Sequence, residues 1–402
     1  KLFNCFIKIE TILFSLMRKV YLLFLLLFPL IVNTIHARAK IQVYDGGFSF
    51  GSILPNETIT NSLLKDNGGV SYINQLLVNK SKSLSNESFE LKYDLLKDGI
   101  GEDDQNIMVL ALDGEYIDNI SIKSDNLTRT DIILNFQIIF FNAKTNSLVA
   151  SIPLEISKNI SSSSELSKEQ IKQELKNIYE NEVARYYLEL LSNFTLQSKY
   201  KNRIGVTEVI FEDNANDYFK KNMNKDDIFL KNRFAKSLSS FIAFNNGVAI
   251  VPYGQDRTSS TIMLRFENSQ RQINLPSPDY HIHLTIRGFK SVLFKESNID
   301  EQWIYGSYTN IKILQPDYPD EQKRIKMDEK FKNGLNVELS KRSLDNKQSF
   351  EWIFYNDSLK VLFDNFSKQT VELDKKWLKS SNGNKKISKT FKEIKEIYDR
   401  CK

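Results

Sequence analysis

Residues Thr130–Ile156 read TDIILNFQIIFFNAKTNSLVASIPLEI, and the reading of this stretch decides the fold. Thr130–Phe141 is dense in Ile and Phe, residue types that suit a pleated, buried surface. Lys144-Thr145-Asn146 then marks a turn, because asparagine tolerates positive φ and short polar side chains close on the local backbone. Leu148–Ile156 returns as the partner strand. Pro153 belongs at an edge or beyond the paired region, since proline donates no ladder hydrogen bond.

The flanks extend this hairpin into a sheet covered by helices. Asn106–Gly114, NIMVLALDG, is a short apolar run of the kind found in a buried strand. Before it, Ile73, Leu76 and Leu77 share one face of a short helix, and Ser88–Tyr93 has the pattern of a strand. After the hairpin, Ser167 and Gln170 make a capping-box pair. Ile171, Leu175, Ile178, Val183, Tyr186, Tyr187 and Leu190 then recur at helical spacing, predicting a helix that ends near Ser192.

The second half follows a similar order. Arg203–Phe211 predicts a strand, and Asp227–Gly247 a helix with Phe229, Phe234, Leu238 and Phe241 inward, stopped at Asn246-Gly247. Val248–Gly254, Tyr280–Gly288 and Trp303–Leu314 predict strands, Ile262–Leu275 a small extra hairpin, Lys326–Leu339 a further strand, and Ser349–Phe366 a closing helix. Short identities lie almost on one diagonal. LLSNFTLQ (Leu190–Gln197) answers LFDNFSKQ (Leu362–Gln369) at an offset of 172 residues, and NIMVLALDG answers YHIHLTIRG (Tyr280–Gly288) at 174. The expected fold class is therefore α+β: two tandem related domains, 40–200 and 201–375, each a mainly antiparallel or mixed sheet packed by helices. A basic amphipathic helical tail, 376–402, follows, with Phe391, Ile394, Ile397 and Tyr398 on one stripe. That stripe suits packing on the second domain, a partner groove, or peripheral contact with an anionic membrane.

A helix, a strand, the FFNAKTNSLVAS hairpin and a packing helix together resemble the TolB amino-terminal-like fold. That fold recurs in curli-export lipoproteins and in a flagellar-ring assembly protein. Here Asn146 stands where those turns carry glycine, and no cysteine follows the apolar leader to bear a lipid. The resemblance implies a periplasmic scaffold or assembly role without chemistry.

The leader itself predicts export. Met17-Arg18-Lys19 offers a start with a positive end, Val20–Val32 an apolar run, and Ala37-Arg38-Ala39 the small residues of a cleavage site, placing the cut between Ala39 and Lys40. The run is shorter than the roughly 20 residues that span a bilayer. Residues 1–39 carry five basic and one acidic residue, so the remainder is nearly neutral, with 50 basic and 49 acidic. Without concentrated phosphate-neutralising charge, nucleic acid is not an expected partner. Only Cys401 remains beyond the leader, so no internal disulfide is possible. Export without disulfides suits a bacterial periplasm.

Chemistry is sparsely signalled. No residue reads as catalytic and no cofactor is implied: Gly-x-Ser-x-Gly is missing, and DGGFSFGS (Asp45–Ser52) lacks the Lys-Ser/Thr ending of a phosphate loop, suggesting a flexible lead into the first strand. His281 and His283 are the weak metal candidates. They share one strand face with Asp279, Thr285 and Arg287, opposite Ile282, Leu284 and Ile286. A metal site ordinarily needs three or four ligands, so this face reads as solvated or partner-facing. The acidic stretches GEDDQN (Gly101–Asn106) and EDNAND (Glu212–Asp217) read as polar loops. The function expected is an exported periplasmic scaffold or assembly protein that binds envelope proteins. The alternative is a hydrolase or a small-ligand or glycan-binding protein with its site between the domains.

Overall fold

The computed structural model describes residues 39–64, 71–93, 104–122, 127–223, 226–254, 260–267, 269–341 and 347–402. The leader up to Arg38 and Gly101–Asp103 of the first acidic stretch lie outside them. Gln42–Lys402 form one compact unit of mixed α and β structure with two sheets.

The first sheet begins with β1 (Ile41–Phe50), followed by α1 (Tyr72–Ser81) and β2 (Phe89–Lys92). Three long strands follow, β3 (Asn106–Ile122), β4 (Leu127–Asn142) and β5 (Ser147–Ser162). β1 runs parallel to β3, while β3, β4 and β5 are antiparallel neighbours. The β4–β5 turn places Asn146 at φ 51, as its residue type allows. α2 then covers one face as a continuous run of Lys168–Ile178, a π-turn over Tyr179–Val183, and Ala184–Asn193. Its start carries the Ser167–Gln170 capping box. On this face Phe140 lies between Phe89 and Phe194, at 5.8 and 5.7 Å between ring centroids, and Tyr179 meets both Phe48 and Phe136 edge-on.

The second sheet has β6 (Ile204–Phe211) parallel to β9 (Tyr280–Glu296). β10 (Asp300–Leu314) and β11 (Ile325–Ser340) then add antiparallel, giving the order β11-β10-β9-β6. Ile282, Leu284 and Ile286 are fully buried, as their alternation with polar residues requires. Between β6 and β9 come α3 (Asp213–Asn222), α4 (Asp227–Asn246), β7 (Thr261–Arg265) and β8 (Gln270–Asn274), and α5 (Lys347–Lys368) follows β11. With β2 and the β7–β8 hairpin set aside, both halves run strand, helices, parallel strand, two antiparallel strands and helix in chain order. β3 and β9 each span 17 residues, and both bulge at the residue before a glycine, Asp113 before Gly114 and Arg287 before Gly288. LLSNFTLQ and LFDNFSKQ fall at the ends of α2 and α5, where Phe194 and Phe366 are both buried.

A hairpin and two helices join the halves. The β7–β8 hairpin leaves the second half to pair with β5 and β1 of the first sheet, laying Ile262, Leu264 and Ile273 over Ile107, Val109, Ile139 and Phe141. α4 packs on β5 and β6, and α5 on β10, β11 and β3, so these two helices touch both sheets. α4 ends at Gly247, which takes the left-handed conformation (φ 61) that stops a helix. The tail forms α6 (Lys375–Ser381) and α7 (Ile387–Arg400). Phe391, Ile394, Ile397 and Tyr398 are buried, with Phe391 against Phe366 of α5 and Phe331 of β11. The stripe that a membrane or partner groove would take is thereby spent on the fold. Cys401 is a buried free thiol.

Three local expectations are corrected. Asp45–Phe50 is not a flexible lead but part of β1, where Gly47 (φ 78) sits in a bulge and Phe48 and Phe50 bury their rings. Val248–Gly254 makes only a single bridge, Ile250 to Ile204, because Pro252 removes a ladder donor just beyond it. Glu212–Asp217 is not a loop: Asp213 opens α3, where acidic side chains favour the helix amino end.

Two stability outcomes follow from these positions. Gly288 has φ 146, and a Cβ there would lie 3.0 Å from Cβ of Asn214. Gly288→Ala is expected to cost about 1–3 kcal/mol in chemical denaturation. Asp45 is 2% exposed, its Oδ1 accepts from Gly47 N–H at 2.8 Å, and burial pushes its carboxyl up to about 6. The folded state therefore holds this proton more tightly than the unfolded chain does. Its contribution falls as pH rises from about 4 to about 6 and stays low above that. Asp45→Asn is expected to stabilise the protein at pH 7.5 by about 2–3 kcal/mol and to have little effect near pH 4.

Candidate functional site

Two polar concentrations stand out. The first lies between the first sheet and α4–α5. Lys236 of α4 is 5% exposed at its side chain and reaches Asp113 Oδ2 at 2.9 Å and the Asp113 carbonyl at 2.8 Å. Asp113 Oδ1 also accepts from Ser52 N–H at 2.9 Å. Burial pushes the Asp113 carboxyl up, but Lys236 and the hydrogen bonds outweigh it, and the group sits below its ordinary range. Arg233 Nη1 lies 3.3 Å from Asp118 Oδ2. Lys360 Nζ of α5 lies 2.9 Å from Glu155 Oε1, and Asn135 donates to the same carboxylate at 3.1 Å. Glu155 is likewise raised by burial and lowered further by Lys360, ending below the usual carboxylate range. Arg129 of β4 joins Asp131 at 2.6 Å and Asp357 of α5 at 3.4 Å. Asp113, Asp118 and Glu155 each have their own cation, while Asp131 and Asp357 share Arg129, and burial with the neighbouring Asp131 pushes the Asp357 carboxyl up. These pairs form a seam that fastens the helices to the sheet.

The second concentration lines a cleft of about 400 Å³ over the open face of the second sheet. β9 supplies His281 and His283, and β6 supplies Gly205, Thr207 and Glu208. The walls come from Val251–Gly254 and from Leu275–Pro278. β6 bulges at Thr207, and this single extra residue sets Glu208 opposite His283. His283 Nδ1 lies 3.1 Å from Glu208 Oε2. His281 Nε2 lies 3.0 Å from the Pro278 carbonyl, an atom that only accepts, so the imidazole donates. The two rings are 6.4 Å apart. The histidines expected on a polar strand face are thus on that face and in a cleft together.

Asp279, expected on the same face, is used elsewhere. Its Oδ2 accepts from Arg203 N–H at 2.7 Å, and its own N–H donates to the Arg203 carbonyl at 2.8 Å, tying the start of β9 to that of β6. No group of three or more His, Cys, Asp or Glu fit to hold a metal ion by itself occurs among the described residues. Sequence reading missed Glu208, whose role depends on a one-residue bulge, and the walls Pro252, Pro276 and Pro278, which lack backbone donors.

The buried seam makes a testable demand. Lys236→Met leaves the Asp113 carboxylate uncompensated and is expected to cost about 3–5 kcal/mol at pH 7 in denaturant unfolding. The Asp113 carboxyl lies below its unfolded value in the intact pair, so that contribution is present above about pH 4 and fades as pH falls through the folded value. The deficit of the variant is expected to shrink in acid. No known protein-family model matches this chain, and no curated protein matches it.

Proposed function

We propose that this chain is an exported, non-enzymatic scaffold or assembly protein of the periplasm, built from a duplicated α+β core, that binds an envelope protein by strand addition. One observation carries the binding mode: the outer end of the second sheet. β11 is an edge strand with β10 as its neighbour. Leu335 and Val337 stand beside Tyr305 and Trp303 of β10, and Trp303 stands beside Leu293 of β9. Trp303, Leu335 and Val337 are half-covered and Tyr305 is buried under α5, while the β9–β10 hairpin end exposes Leu293 on the same face as Trp303, Val292 on the other face, and Phe294 and Ile299 at 64% and 71%. The tail helices cover the first part of β11, where Asn382 donates to the Lys330 carbonyl at 2.9 Å, so an apolar extended segment of a partner pairs its backbone with the far part, Leu335–Ser340, and rests alternate side chains beside Leu335, Val337 and Trp303.

The leader Met17–Ala39 supports export, and the TolB-like order of helix, hairpin and helix supports a periplasmic assembly role. Duplication is supported by the shared chain order, the two 17-residue strands and their matching bulges. The cleft beside His281 and His283 favours the second reading, a small-ligand or glycan-binding protein.

A photo-crosslinking residue in place of Phe294 or Leu339 tests the proposal in the intact envelope, with Val371, 64% exposed beyond α5, as the control position. The expected result is one discrete adduct from both β-sheet positions, none from position 371, and loss of the position-339 adduct in a Phe294→Asp/Ile299→Asp background. Equal adducts from all three positions, or none from the sheet, would contradict strand addition.

A further inference from the structure

We infer that His281 and His283 form a two-nitrogen site for a late first-row divalent ion, Cu²⁺ by preference, whose other coordination positions open into the cleft. The inference does not depend on the strand-addition reading, because the cleft and the β11 edge use different residues.

Three observations converge. The first is placement. The residues are i and i+2 on β9, so both side chains leave the same face, and both line the cleft. Imidazoles sharing one ion at metal–nitrogen distances of about 2.0–2.1 Å have ring centres roughly 4.5–6 Å apart. The observed separation is 6.4 Å, so the two rings must turn toward each other to share one ion.

The second is orientation from behind. Metal-binding histidines characteristically donate their other ring N–H to a carbonyl or a carboxylate, which fixes the tautomer and makes the ligating nitrogen more basic. Both forms occur here. The Pro278 carbonyl holds the proton of His281 on Nε2, which puts the lone pair on Nδ1. The Glu208 carboxylate draws the proton of His283 to Nδ1, which puts the lone pair on Nε2. Glu208 reaches this place only through the bulge at Thr207, and Pro278 lies in the same connection that walls the cleft.

The third is space. About 400 Å³ adjoins the two rings, room for an ion together with a small chelating molecule or the end of a peptide. Among the described residues no third His, Cys, Asp or Glu completes the site. The site therefore selects an ion that arrives with part of its shell already filled. Two neutral imidazoles and no thiolate suit Cu²⁺, which stands highest in the affinity order for nitrogen ligands among these ions.

Titration of the full chain with Cu²⁺–iminodiacetate tests this, since the chelator occupies three positions and leaves the rest for the protein. Calorimetry and electron paramagnetic resonance are the readouts. One complex per chain with hyperfine structure from two imidazole nitrogens is expected. His281→Gln and His283→Gln should each weaken binding at least about 100-fold, and Glu208→Gln, which touches no metal, about 10–100-fold. Circular dichroism of each variant separates loss of the site from loss of fold. Should His283→Gln fail to fold, the His281→Gln and Glu208→Gln comparisons still decide. Equal affinity in the wild type and the folded histidine variants, or a spectrum with one imidazole nitrogen, would overturn the inference.

Discussion

Two helices in this protein serve two sheets at once, and the rest of the structure answers to that constraint. α4 and α5 each pack on both sheets, and the middle of α4 keeps no polar face for water. From Asn232 to Ser240 every residue of α4 is buried, Arg233 and Lys236 included. An unpaired buried ammonium would be prohibitive. The sheet therefore supplies a partner for each cation, and a partner on the helix for each anion: Asp113 for Lys236, Asp118 for Arg233, and Lys360 for Glu155. Replacing such a pair by well-packed apolar residues is often neutral or stabilising, whereas removing one member is costly. The seam is thus better understood as fixing how the helices lie on the first sheet than as the main source of stability.

Bulges do much of the positioning. The bulge at Asp113 turns its side chain toward Lys236, and the bulge at Thr207 brings Glu208 to His283. The bulge at Arg287 needs the glycine that follows it, because α3 passes close by at Asn214. In each case one extra residue in a strand re-aims a side chain that regular pleating would send elsewhere. The remaining polar face of β9 is open because an antiparallel sheet can leave one side to water.

Much of the local structure was legible in the sequence because its causes are local. The β4–β5 hairpin, the Asn146 turn, the Ser167–Gln170 cap, the Gly247 stop and the alternation along β9 all rest on neighbouring residues. The offset of 174 residues placed the start of β9 from that of β3. Less legible was whatever depends on distant partners. Ile262–Leu275 reads as a hairpin, yet nothing in it tells that β7 and β8 cross to the first sheet. Lys236 looks like a surface residue until Asp113 is placed beside it. The histidine pair was visible as a pair, but the carboxylate and carbonyl that orient it come from a bulge and a proline-rich connection.

The shared helix layer implies that both sheets stand or fall together. All three tryptophans, Trp303, Trp352 and Trp377, belong to the second half, so their fluorescence reports that half, while far-ultraviolet circular dichroism reports both. Denaturant unfolding followed by both signals measures the coupling most directly. Coincident transitions with one midpoint are what the shared layer predicts. A fluorescence transition complete while a large dichroism change remains would show halves that unfold separately, and would contradict it.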